Sequence, residues 1–138
     1  MRVLTSSLQI LPDPFSVALF STRPPYAAAW LTVDSAGSPP EVDFASKVVI
    51  YLGMAGSSSC PVRFQHLVVD EASAHVYGEW DDATPANRPC TDDLAGSGVV
   101  LVVSRAVLPQ GEFRLTLRQD LICPDCPDHP DQELVSLG

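Results

Sequence analysis

The chain is short of positive charge. Only 8 Lys and Arg stand against 17 Asp and Glu, a formal net charge of −9 over 138 residues. Phosphate backbones are held by clustered cations, so nucleic acid is not expected as a partner. Anionic membrane surfaces are disfavoured for the same reason. Long apolar runs are also missing. None approaches the roughly 20 residues that cross a bilayer, so no transmembrane segment is expected. No segment holds a helical period between caps. There is no phosphate-binding Gly loop, and Gly56-Ser57-Ser58-Ser59 lacks the GxSxG pattern of a nucleophile elbow. The carboxylates are too scattered to nominate a glycosidase pair. Met1 to Leu8 has one early cation, several hydroxyls and then Pro12-Asp13, which is not a clear signal peptide.

What is present is strand-like. The hydrophobic fraction of 46% and the mean hydropathy of +0.13 argue against disorder. The 13 prolines fall between apolar runs, as turn punctuation should. Candidate strands are Val3–Leu11, Phe15–Phe20, Trp30–Val33, Lys47–Leu52, Val62–Val69, Ala74–Trp80, Val99–Ser104, Glu112–Gln119 and Glu133–Leu137. Ala27-Ala28-Ala29 reads at most as a helical turn, because Pro25 and the β-branched residues that follow oppose a longer helix. Short strands at regular spacing predict one all-β domain over residues 1–138. The expected architecture is a two-sheet antiparallel immunoglobulin-like sandwich, with a small β-barrel as the alternative.

The clearest hairpin joins Val62–Val69 to Ala74–Trp80. With Asp70-Glu71-Ala72-Ser73 as its loop, Val69 faces Ala74 and Leu67 faces Val76. Phe64, His66, His75 and Tyr77 then share the opposite face. In Leu108–Leu117, Pro109 and Gly111 shape a turn, and Phe113, Leu115 and Leu117 alternate inward.

The cysteines lie in turn-rich segments. Cys60 opens the run Val62–Val69, and Cys90 precedes the run Val99–Val103. A structural disulfide between them would close about 30 residues and stabilise by roughly 3–4 kcal/mol. Buried thiols and a metal site are the other readings, and four cysteines permit three pairings. The second pair sits in Cys123-Pro124-Asp125-Cys126-Pro127-Asp128-His129. A polyproline II helix would set Cys123 and Cys126 about 9 Å apart, beyond disulfide reach, so they cooperate only across a turn. A loop staple between Cys123 and Cys126 is expected. The alternatives are zinc on Cys123, Cys126 and His129, or a redox-active CxxC. The first of these lacks a fourth ligand and the second lacks a helix N-terminus.

Two resemblances bear on class. Leu108–Leu117 resembles the LPxGxFxLxL strand opening of bacterial immunoglobulin-like and fibronectin-like domains. Gly56–Pro61 together with Cys90-Thr91-Asp92-Asp93-Leu94 resembles the GSSSCP and CTxDL segments of uncharacterised small secreted proteins and lipoproteins of high-GC Gram-positive bacteria. The second likeness implies a Cys60–Cys90 disulfide and an extracellular or cell-envelope location. It implies no activity. The expectation is a non-catalytic binding or structural module without a cofactor, contacting a protein or glycan at the cell surface. Tyr26, Trp30, Tyr77 and Trp80 are its candidate contact aromatics if they are exposed. A metal-binding or redox protein built on Cys123, Cys126 and His129 is the alternative.

Overall fold

The computed structural model describes residues 2–5, 16–33, 38–56, 59, 62–82, 90, 95–121 and 132–137. Among them are eight strands and one helix: β1 (Arg2–Thr5), β2 (Ser16–Phe20), α1 (Arg23–Val33), β3 (Lys47–Gly56), β4 (Val62–Asp70), β5 (His75–Asp82), β6 (Ala95–Ser104), β7 (Glu112–Thr116) and β8 (Gln132–Ser136). They form two sheets of four strands, ordered β1-β6-β3-β2 and β4-β5-β7-β8. This is the expected sandwich, and it is not closed into a barrel.

One pairing departs from an all-antiparallel arrangement. β5 and β7 run parallel, with His75 opposite Arg114 and Tyr77 opposite Thr116. Parallel neighbours need a crossover connection. Here the crossover is β6 itself, which leaves the second sheet, inserts between β1 and β3, and returns through a 3-10 turn at Arg105–Val107.

The first sheet is buried on both faces. Val48, Ile50, Leu52 and Met54 of β3 join Val99, Leu101 and Val103 of β6 between the sheets. There they meet Val76, Phe113, Leu115, Leu117 and Val135 of the second sheet and its connections. The intervening residues Val49, Tyr51, Val100 and Val102 gather against Tyr26 and Trp30 of α1, with Val42 and Phe44 beside them. Residues 48–52 and 99–103 are apolar without alternation for this reason: each face of the strand has a layer to fill.

α1 replaces the strand expected over Trp30–Val33. Pro24 and Pro25 occupy its first turn, where the missing N–H has no intrahelical partner to lose. The following alanines then favour helix. Tyr26 anchors it: its hydroxyl donates to the Pro40 carbonyl at 2.9 Å, and its ring meets Phe44 edge-on at 5.6 Å.

Apart from Phe64, the β4–β5 hairpin keeps its predicted faces but changes register. Asp70 faces His75 and Val69 faces Val76, so the loop is residues 71–74. Ala74 closes it at a positive φ of 50°, with its N–H on the Glu71 carbonyl. A bulge between Phe64 and His66 moves Phe64 to the inner face, opposite Trp80. It meets that indole edge-on at 5.5 Å.

Candidate functional site

The second sheet turns a polar row outward. His75 and Tyr77 of β5 lie beside Arg114 and Thr116 of β7, followed by Leu134 and Gln132 of β8. His75, Tyr77, Thr116 and Gln132 are nonetheless buried. His75 Nε2 lies 2.6 Å from Thr116 Oγ1, and that hydroxyl donates to the Arg118 carbonyl at 2.6 Å. A threonine has one hydroxyl proton. With it committed to Arg118, the hydroxyl must accept from Nε2–H, which assigns the tautomer of the neutral ring. Burial holds the His75 pKa below the ordinary imidazole value. Asp70 opposes that shift and Arg114 adds to it.

This chain of bonds leads to an open cleft of about 300 Å³ beside the second half of β5. Gly78, Glu79 and Trp80 of β5 form one wall, and Arg118, Gln119 and Asp120, which follow β7, form the other. Two bonds fix the second wall. Thr116 holds the Arg118 carbonyl, and the Trp80 indole N–H donates to the Leu117 carbonyl at 2.9 Å. On the rim, His66 Nε2 approaches Glu79 at 2.8 Å and Arg118 approaches Asp120 at 3.4 Å. Both pairs are solvent-facing, so each is worth about 0–1 kcal/mol. The arrangement offers a half-buried indole with charged and amide groups around it. Among the described residues it holds no nucleophile paired with a base.

The predicted site residues scatter. Tyr26, Trp30 and Tyr77 are buried rather than exposed, which corrects their reading as solvent-facing contacts. Tyr26 and Trp30 fill the space between α1 and the first sheet, and the Trp30 indole N–H finds no partner there. Tyr77 packs its ring 4.8 Å from His75. Trp80 lines a cleft. His66 and His75 do not meet across the hairpin; they face Glu79 and Asp70. Cys90 is not a free thiol. Cys60, Cys123, Cys126 and His129 lie outside the described residues, and with them the staple and zinc readings of the second cysteine pair. No group of three or more His, Cys, Asp or Glu that would hold a metal occurs among the described residues. Sequence reasoning missed Thr116 and the Arg118-Gln119-Asp120 wall. The only signal for the latter was a polar triplet ending an alternating strand.

No family model matches the chain, and neither a curated protein nor a solved structure matches it.

Proposed function

We propose that this protein is a non-catalytic binding or structural module of the extracellular space or cell envelope, contacting a protein or glycan through the Trp80 cleft. The observation that carries the reading is the cleft itself. A half-buried indole, held by the Leu117 carbonyl, stands opposite Arg118, Gln119 and Asp120. Aromatic and planar polar groups in one concavity suit recognition, with the ring supplying apolar area and the rim supplying orientation. The groups beside it are tied into structural bonds, as in a surface that binds without turning over its ligand.

The location rests on the cysteines and on the GSSSCP and CTxDL likeness to secreted proteins and lipoproteins of high-GC Gram-positive bacteria. Disulfides persist in oxidising compartments. A Cys60–Cys90 bond and a Cys123–Cys126 staple belong to this proposal. Reduction should raise the intact mass by about 2 Da per disulfide, and peptide mapping should join Cys60 to Cys90.

Binding is tested in a Trp30→Phe variant, in which Trp80 is the one fluorophore of its kind. Soluble cell-wall glycan fragments and shed envelope proteins should shift its emission, and Trp80→Ala should abolish their binding. Binding that survives Trp80→Ala moves the contact surface elsewhere. Turnover of any fragment overturns the non-catalytic reading.

A further inference from the structure

A second concavity, of about 260 Å³, opens at the Arg105 end of the β6–β7 connection and shares no residue with the Trp80 cleft. Arg105, Pro109, Gln110, Gly111 and Leu137 line it. The guanidinium is fixed from behind. Nε donates to the Phe44 carbonyl at 3.0 Å and Nη2 to the Ser21 carbonyl at 3.3 Å. The backbone N–H of the same residue bonds the Ser46 carbonyl at 2.9 Å. A guanidinium has five N–H donors, so those left after the two side-chain bonds are free to face a ligand.

Among the described residues no acid neutralises Arg105. Acids outnumber bases by 17 to 8 in this chain, yet Arg105 makes no ion pair among the described residues. Described acids on the neighbouring segments are engaged elsewhere or turned away. Glu41 approaches Arg23, and the Asp43 carboxylate accepts from the Ala45 N–H and the Ser46 hydroxyl. Glu112 is exposed on the outward face of β7, opposite Ser136. A half-buried cation held rigid, half-spent on carbonyls and paired with no described acid is pre-organised for an anion.

We propose that this pocket binds a carboxylate whose attached group is apolar, as in a short-chain carboxylic acid or a peptide C-terminus. The planar guanidinium fork matches a carboxylate edge. Pro109 and Leu137 offer apolar walls for what the carboxylate carries, and the exposed Gln110 in the same lining offers it an amide donor. A single cation in a chain of net charge −9 suits a monoanion better than a phosphate dianion. The same charge keeps the affinity weak, on the order of millimolar.

Amide-resolved NMR titration of the intact protein tests this with two probes: sodium butyrate, and N-acetyl-alanyl-leucine with its carboxyl free. Either probe should shift the Gly111 amide and the Arg105 Nε–H saturably, beyond the effect of sodium chloride at equal ionic strength. Saturation by one probe alone identifies the source of the carboxylate. Butyramide and the peptide amide should leave both signals in place. Arg105→Lys should weaken binding by about tenfold, through loss of the fork. Because that residue also braces Ser21 and Phe44, Gln110→Glu is the second variant. It leaves the brace intact, sets a charge like the ligand's in the pocket lining and should also weaken binding by about tenfold. Shifts no larger than those of chloride, or equal binding by Gln110→Glu, would overturn the proposal.

Discussion

The two sheets solve different burial problems. The first has a layer on each face: the second sheet on one side, and α1 with Val42 and Phe44 on the other. Its central strands are therefore apolar at consecutive positions, from Val48 to Leu52 and from Val99 to Val103. The second sheet packs one apolar face on the first and turns polar side chains outward, so β7 alternates Phe113 and Leu115 with Arg114 and Thr116. The contrast explains where chemistry can sit. A sheet covered twice has no face left for polar groups, whereas the second sheet can arrange His75, Thr116 and the Arg118 carbonyl into a chain that braces a cleft.

The sharpest break of this comparison is in the shared layer. Phe113→Ala empties a fully buried site between the sheets and should cost about 3–5 kcal/mol, measured by urea denaturation. Gly78→Ala acts where the second sheet meets Leu52 of the first. A Cβ there would lie 2.9 Å from Trp80 Nε1, 3.0 Å from Leu52 Cδ1 and 3.1 Å from the Leu117 carbonyl oxygen. The backbone oxygen cannot swing aside and the indole is bonded to it, so a loss of about 1–3 kcal/mol is expected. A neutral result would mean the sheets can separate locally, against the close packing described. On the helix side, Tyr26→Phe removes the hydroxyl that bonds the Pro40 carbonyl and should cost about 1 kcal/mol.

The smallest effect is a pH dependence. His75 is held below the ordinary imidazole value by burial, so as pH falls the unfolded chain takes up its proton first. The stability tied to the neutral ring is complete above the ordinary imidazole range. It declines as pH falls through that range toward the folded value. Glu133 runs the other way. Burial raises its pKa, against the lowering effect of its bond to the Leu19 N–H. Its contribution is present at low pH and is lost as pH rises through the raised carboxyl value. Denaturation midpoints taken from about pH 8 to about pH 5 should fall less steeply in His75→Gln than in the parent. An unchanged slope would remove His75 as the origin.

Much of the sandwich was legible because strand period and turn residues are local. Leu108–Leu117 declared its inward set through alternation, and the turn is made at Gly111 with a φ of 81°. The helix over Arg23–Val33 was hidden because Pro24 and Pro25 read as breakers unless they fall in a first turn. The parallel β5–β7 pairing was not legible at all, since it depends on where β6 goes. The bulge that reverses Phe64 lies opposite Trp80 and Glu79, a cross-strand register that local alternation does not carry. The cleft fared worst. Trp80 was named among four aromatics, but Arg118 and Asp120 reach it only through a turn held by Thr116 and Trp80.

The bond from the Leu19 N–H to Glu133 Oε2, at 2.8 Å, joins an edge of one sheet to an edge of the other. β2 pairs with β3 on one side only, so its outer amides are a template on which a foreign strand could grow. A carboxylate parked on one of those amides occupies the template with a group that cannot propagate it. The same bond makes the Leu19 amide a latch. Its hydrogen-exchange rate will report the parting of the two sheets along this seam, not the fraying of β2 alone.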